Sequence, residues 1–216
     1  MKIAIIGSGN VGRALATSFT RAGHQVVLAS RDPEHAGEVA AATGARSASS
    51  SAEAAASAEL VVLAIPFASA GDVATEIREA VAGKPVIDVT NRISFGTNGA
   101  EIDTSSSNAE EIAALLPDAK VVKAFNTLFA PSQADPILDG VQLDGFVAGD
   151  DLDAKRLVIA LIDSIGLDPI DVGPLARARQ LEGLAFLNMT LQMANNGAWR
   201  SAWKLVAAPS TVPVPA

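Results

Sequence analysis

The stretch Lys2-Ile3-Ala4-Ile5-Ile6-Gly7-Ser8-Gly9-Asn10-Val11-Gly12 constrains the chain more than any other. An apolar strand runs into a G-x-G-x-x-G turn, and a helical pattern from Arg13 to Ala22 follows at once. Glycine is common in loops, so the glycines alone specify little; the strand before them and the helix after them give the motif its meaning. Gly7 permits a tight turn. Gly9 has no side chain to hold a pyrophosphate away from the backbone, and Gly12 lets the helix lie close to the sheet. The free N–H groups and the positive end of the helix then face an anion. The expected ligand segment is Gly7, Ser8, Gly9, Asn10, Val11 and Gly12, and the expected ligand is a dinucleotide.

A second strand is predicted at Gln25-Val26-Val27-Leu28-Ala29. The residue that ends this strand faces the adenosine ribose, where an NAD site usually carries Asp or Glu to accept from the 2′-hydroxyl. This chain has Ser30-Arg31 there. A hydroxyl and a guanidinium suit a 2′-phosphate, which a carboxylate would repel. The reading is NADP(H), with Ser30 and Arg31 as the phosphate clamp. Asp32 is the residue that would turn the preference to NAD if it faced the ribose instead of Arg31.

Composition excludes several other classes. The chain has 216 residues, 49% of them hydrophobic and 19% charged, which supports a globular core. Its net charge is −8, with no basic block to meet a nucleic-acid backbone. It has no cysteine, so a disulfide framework, a thiolate metal site and a Cys nucleophile are all excluded. Two histidines, His24 and His35, are a poor inventory for metal binding or acid–base work, and no metal site is expected. No apolar run reaches the roughly 18 residues that read as a membrane span. With no leader pattern ahead of the first strand, the expected compartment is the cytoplasm.

Further along, strands and helices alternate. A helix is read at Glu34 to Thr43, ending at Gly44, and Ala45 to Ser57 as a third strand–helix connection. Leu60 to Ile65 is an apolar run suited to a strand buried on both faces, closed by Pro66. Then come a helix from Asp72 to Ala82, a strand at Pro85 to Val89, and a long polar loop from Ser94 to Ser107. Ser107 and Glu110 have the spacing of a capping box for a helix that runs to Leu116. Strands at Lys120 to Phe125 and Val141 to Val147, a helix at Asp153 to Ile165, a strand at Asp168 to Val172 and a long helix at Pro174 to Asn195 complete the pattern. The proline-rich tail from Pro209 is expected to fray or drape. Alternation of this kind predicts an α/β fold, a Rossmann-type doubly wound and mainly parallel sheet with a small C-terminal helical extension. The expected division is a nucleotide-binding domain at 1–150 and an extension at 151–216 that completes the pocket and supplies a dimer contact.

Ligands of such a sheet sit at the carboxyl ends of its strands. Beyond the glycine turn and Ser30-Arg31, the segments to inspect are Ala64-Ile65-Pro66-Phe67, Thr90-Asn91-Arg92 and Ala124-Phe125-Asn126-Thr127. These blocks, with Asp88-Val89-Thr90-Asn91, Val122-Lys123-Ala124, Gly149-Asp150-Asp151 and Asp171-Val172-Gly173-Pro174-Leu175, resemble the NADP oxidoreductases dependent on coenzyme F420 and their bacterial relatives. The resemblance covers nearly the whole chain. More distantly, the chain is similar to the cytosolic domain of the six-transmembrane ferric reductases. It implies an NADP(H)-binding Rossmann domain, a small C-terminal unit closing the pocket, and a homodimer. The Phe125-Asn126-Thr127 ending departs from the archaeal members that reduce the deazaflavin. The hydride acceptor therefore stays open between coenzyme F420 and a flavin.

Hydride transfer between two rings needs position more than acid–base chemistry, because the cofactor carries the reaction. Ile65, Pro66 and Phe67 are expected to wall the nicotinamide, and Ala64 and Ala124 are expected among the cofactor-binding residues. Asn91, Asn126 and Thr127 are expected to supply neutral hydrogen bonds to its carboxamide or to the acceptor. The plainer readings are that the two asparagines cap turns and that Phe67 is core. Trp199 and Trp203 have the i, i+4 spacing of one helical face, suited to packing on the body or on a partner. Arg177, Arg179 and Arg200 could meet an anionic tail, though a solvated face suits each as well. A reductase of the β-hydroxyacid dehydrogenase type is disfavoured, because the stretch from Pro174 to Asn195 has no lysine and too little chain follows it. A non-catalytic NADPH sensor is the alternative from another class.

Overall fold

The computed structural model describes residues 1–97 and 99–206; the proline-rich tail lies outside the described residues. The elements in chain order begin with β1 (Lys2–Ile6), α1 (Asn10–Arg21), β2 (Gln25–Ala29), α2 (Pro33–Thr43), β3 (Arg46–Ser47), α3 (Ser51–Ser57), β4 (Leu60–Leu63), α4 (Ala70–Ile77) and β5 (Pro85–Asp88). They continue with β6 (Ile93–Gly96), β7 (Gly99–Ile102), α5 (Asn108–Leu115), β8 (Lys120–Ala124), α6 (Ala130–Ala134), β9 (Ile137–Leu138), β10 (Val141–Gln142), β11 (Asp144–Gly149), α7 (Leu152–Ser164), β12 (Asp168–Asp171) and α8 (Ala178–Ala194).

Eight strands form one sheet in the order β12-β11-β8-β5-β4-β1-β2-β3. From β3 to β8 the pairing is parallel. β11 then runs antiparallel to β8, and β12 is parallel to β11. The sheet is therefore doubly wound and mainly parallel, and its order reverses between β1 and β4, where a crevice for ligands forms.

The pleat of β1 divides the core. Ile3 and Ile5 face one side with Leu15, Phe19, Leu28, Val122 and Leu161. Ala4 and Ile6 face the other with Val61, Leu63, Ile77, Val86 and Ile112. Alternating side chains thus bury both faces, which is why the parallel strands read as unbroken apolar runs.

Helix starts follow local chemistry. Asp32, Ser50, Ser107 and Asp151 each accept a backbone N–H and cap α2, α3, α5 and α7. The capping box at Ser107 and Glu110 forms as the spacing predicts. The start of α1 has no side-chain cap and no acid in its first turn.

Four expectations need correction. The strand read at Val141 to Val147 is two: β10, paired with β9 in a separate hairpin, and β11 of the main sheet. The polar loop from Ser94 to Ser107 contains part of a hairpin, β6 paired antiparallel with β7. Its strands are short and largely exposed, so they lack the apolar run that marks a buried strand. The stretch from Pro174 is a 3₁₀ turn, Leu175–Arg177, followed by α8. Trp199 and Trp203 do not share a helical face. Asn196 adopts a left-handed conformation (φ 47°) just past the end of α8, and the chain doubles back as an irregular strap. Trp199 meets Phe129 edge-on at 5.3 Å, and Trp203 Nε1 donates to the Leu184 carbonyl.

The glycine turn holds the fold together at its tightest point. A Cβ on Gly12 would lie 1.9 Å from the carbonyl oxygen of Gly7. Neither partner can retreat, because both are backbone. Gly12→Ala is expected to lower the unfolding free energy by about 1–3 kcal/mol. Chemical denaturation checks this, and an unchanged midpoint would contradict the packing.

Candidate functional site

Two cavities open at the carboxyl ends of the parallel strands, lined on either side of the start of α1 by Gly9 and by Asn10. The first, of about 510 Å³, is lined by Gly7, Ser8 and Gly9, by Ser30 and Arg31, and by Ala64, Ile65 and Pro66. The second, of about 340 Å³, is lined by Asn10, Val11, Asn91, Asn126 and Thr127, with Ala185, Met189 and Trp199 from the C-terminal segment. Both lie in the size range of small-molecule sites. Three anticipated residues line neither, Phe67 among them. Ala124 is fully buried in the sheet, and Gly12 serves the packing of α1 on β1.

The glycines divide their work as their surroundings require. Gly7 has φ +115°, and a Cβ there would stand 2.0 Å from the Ala64 carbonyl oxygen. At Gly9 a Cβ would meet nothing within 4 Å. That residue is bare for a reason other than protein packing: its surface is open cradle. The uncapped N–H groups of α1 stand behind it, with the positive end of the helix dipole.

At the end of β2, Asp32 lines the first cavity beside Ser30 and Arg31. Its Oδ1 accepts the His35 N–H at 3.1 Å as the cap of α2. The Ser30 hydroxyl donates to the Asp32 carbonyl at 2.7 Å, so it must rotate to serve a phosphate. Arg31 is exposed in the first cavity, and among the described residues no ion pair involves it. Ser49, Ser50 and Ser51 line the same cavity. Sequence reasoning passed over them because the stretch reads as low complexity; the signal was its position after a third strand.

Asn91 and Asn126, which follow β5 and β8, bond each other. Asn126 Nδ2 donates to Asn91 Oδ1 at 2.9 Å, and Asn91 Nδ2 donates to the Asn126 carbonyl. The reading of the two asparagines as simple turn caps therefore gives way to a cross-strand pair. Asn126 Oδ1 is buried and has no partner in the structure. An unpaired buried acceptor costs about 1–3 kcal/mol, which a ligand N–H would recover. Phe125, just before it, is fully buried in a left-handed conformation (φ 62°). Gln133 Nε2 donates to the carbonyls of Phe125 and Leu128 and fixes that turn.

Beneath the asparagines lies a buried ion cluster that sequence reasoning missed. Lys123 and Asp88 are register partners in β8 and β5. Lys123 Nζ donates to Asp88 Oδ2 and to Glu182 Oε1, each at 2.7 Å, and to the Thr90 carbonyl. All three side chains are at most 1% exposed. Burial pushes the Glu182 carboxyl above its usual range, with Lys123 pulling the other way. The visible signal was a lysine inside the apolar run of one strand and an aspartate ending its neighbour.

Arg179 grips Glu110 through two hydrogen bonds, 2.8 and 2.7 Å, which hold that carboxyl below its usual range and tie α8 to α5. It is engaged in structure, not left free for an anionic tail. Phe67 is half-buried and lines a smaller cavity with Asn91, Arg92 and Ile93. Among the described residues no cluster of His, Asp or Glu could hold a metal ion, and no helix is long and apolar enough to cross a membrane.

Comparison with known proteins decides the family. Residues 2–92 match the model of the coenzyme F420-dependent NADP oxidoreductases. The chain is 33% identical to the F420-dependent NADP reductase of Methanothermobacter marburgensis over 90% of its own length and 94% of that protein's. The chain belongs to this family. Like its relatives it is an NADP-dependent oxidoreductase by family. A solved structure from Arthrobacter sp. FB24, named provisionally as an F420-dependent NADP-reductase, superposes with a TM-score of 0.84 at 33% identity, covering 92% of this chain and 96% of that one. The chain is also 33% identical to the metalloreductase STEAP3 of Rattus norvegicus over 85% of its own length. It spans about a third of that protein, 36%.

The residues of this family member fit the nucleotide the family implies. The bare Gly9, the uncapped α1, the free Arg31 and the unpartnered Asn126 oxygen are each complementary to a part of NADP(H). The ion cluster makes its own prediction. Lys123→Met leaves two buried carboxylates without their cation and is expected to destabilise the protein by about 3–5 kcal/mol. Urea unfolding reads this, and a loss under 1 kcal/mol would show the cluster to be energetically idle.

Proposed function

We propose that the chain binds NADP(H) across the two cavities and passes hydride between the nicotinamide and a deazaflavin (coenzyme F420) or flavin ring. When bound, the dinucleotide supplies the hydride chemistry: NADPH, a proton and the oxidised acceptor give NADP⁺ and the reduced acceptor. The observation that carries this reading is the open space over Gly9 at the uncapped start of α1, next to an unpaired Arg31.

In this reading Gly7 to Gly12 cradle the pyrophosphate on backbone N–H groups. Ser30 and Arg31 hold the 2′-phosphate. Ile65, Pro66 and Phe67 exclude water on one side of the ring. Asn91, Asn126 and Thr127 orient the carboxamide or the acceptor through neutral hydrogen bonds. Ala185, Met189 and Trp199 line the second cavity, which supports the expected role of 151–216 as a pocket-closing extension to the 1–150 domain. The exposed Leu187, Leu191 and Met193 on α8 support a homodimer built on that helix.

Following absorbance near 340 nm with NADPH and either coenzyme F420 or a flavin tests the activity. Turnover supports the redox role; tight NADPH binding without turnover across both acceptor classes favours the sensor.

Arg31→Ala is expected to weaken NADPH binding by about 10- to 100-fold, the worth of charge-assisted hydrogen bonds to phosphate, and to leave NADH nearly unchanged. Equal losses for both would remove the clamp. Gly9→Val is expected to keep the fold, having nothing nearby to strike, and to abolish binding of both nucleotides. Calorimetric titration measures each, and retained binding would refute the placement of the pyrophosphate.

A further inference from the structure

The buried cluster of Lys123, Asp88 and Glu182 does more than join strands. It grips the backbone on both sides of Asn91. Asp88 Oδ1 accepts the Thr90 N–H at 2.8 Å, and Lys123 Nζ donates to the Thr90 carbonyl. Glu182 Oε2 accepts the Arg92 N–H at 3.0 Å, and its Oε1 accepts the Asn108 N–H at 2.9 Å. Asn108 Nδ2 in turn donates to Thr90 Oγ1. Thr90 and Arg92 are thus pinned, and Asn91 between them is held toward Asn126 in the second cavity.

The cluster is also charged. Every oxygen of both carboxylates accepts a hydrogen bond, which favours the ionised form against the burial that raises Glu182. With both carboxylates ionised, the cluster sets two negative charges against one ammonium, an excess of one negative charge. Among the described residues no further cation pairs with the cluster. The Arg92 guanidinium is taken by Asp103 and Glu111, and Arg179 by Glu110. Burial leaves the excess charge poorly screened.

We infer that Lys123, Asp88 and Glu182 are positioning residues that also select the redox state of the bound nucleotide, favouring the oxidised, cationic nicotinamide over the reduced, neutral one. This rests on the proposed binding of NADP(H) with its nicotinamide beside Asn91 and Asn126. Loss of hydride turns a neutral ring into a pyridinium. A buried negative charge one peptide away from Asn91 stabilises that form and leaves the neutral form unaffected. Such a bias favours the hydride-donating direction of the reaction on the protein.

Calorimetric dissociation constants for NADP⁺, NADPH and 2′,5′-ADP, in the wild type and in Glu182→Gln and Asp88→Asn, test this. The wild type is expected to bind NADP⁺ more tightly than NADPH. Each carboxamide variant is expected to lose about tenfold in NADP⁺ affinity relative to NADPH, the scale of one partly buried unit charge. Affinity for 2′,5′-ADP, which lacks the nicotinamide, is expected to stay constant. Parallel weakening of both dinucleotides, as a merely loosened fold would give, overturns the inference, and so does an unchanged ratio. Either variant suffices if circular dichroism shows the other unfolded. If both unfold, the wild-type order decides, and tighter binding of NADPH overturns the inference. Failure of the wild type to bind any dinucleotide is a different result, which would remove the proposed function itself.

Discussion

Two backbone-on-backbone contacts set the rest of this structure. The turn after β1 presses Gly7 against the Ala64 carbonyl at the end of β4, and α1 presses Gly12 against the Gly7 carbonyl, so that a Cβ at either glycine would lie about 2 Å from a carbonyl oxygen. The first contact closes the crevice where the strand order reverses. The second seats α1 so that its bare N-terminus points into that crevice. Because both partners are main chain, nothing can shift to admit a side chain. Gly9 stands between them with open space above it, the one glycine of the three whose bareness serves something other than packing.

The other end of the crevice depends on charge. Burying ions is costly, and a buried pair is tolerated only where its remaining hydrogen-bonding groups are satisfied. Here the five donor contacts on Asp88 and Glu182 meet that condition. Glu182 belongs to α8, whereas Asp88 and Lys123 belong to the sheet, so the cluster ties the C-terminal helix to the strand ends. Arg179 repeats the tie one turn earlier through Glu110. The wall of the second cavity supplied by Ala185 and Met189 is held in place by these contacts.

Much of this was legible in the sequence because it depends on local rules. The strand–turn–helix at residues 2–21, the alternating apolar faces, the cap at Ser107 and the parallel strands follow from patterning and turn chemistry. Part of each segment just past a strand end lines the two cavities, while Gly12, Phe67, Thr90, Arg92, Ala124 and Phe125 do not. What the sequence hid depends on pairing between distant residues. The partner of Lys123 on α8 lies 59 positions away, and no spacing rule links them. Asp32 caps α2 and also lines the first cavity, a double placement that no spacing rule predicts. The hairpin after β5 was too short and too polar to register. The strap after α8 escaped because a left-handed asparagine ended a helix whose side-chain spacing seemed to continue.

Bound nucleotide tests the account most directly. A crystal structure with NADP⁺ is predicted to show the pyrophosphate over Gly9 against the N–H groups at the start of α1, the 2′-phosphate on Arg31, and the carboxamide within hydrogen-bond reach of Asn126. A dinucleotide lodged away from the glycine turn, or a pyrophosphate held by side chains with those N–H groups still facing solvent, would contradict it.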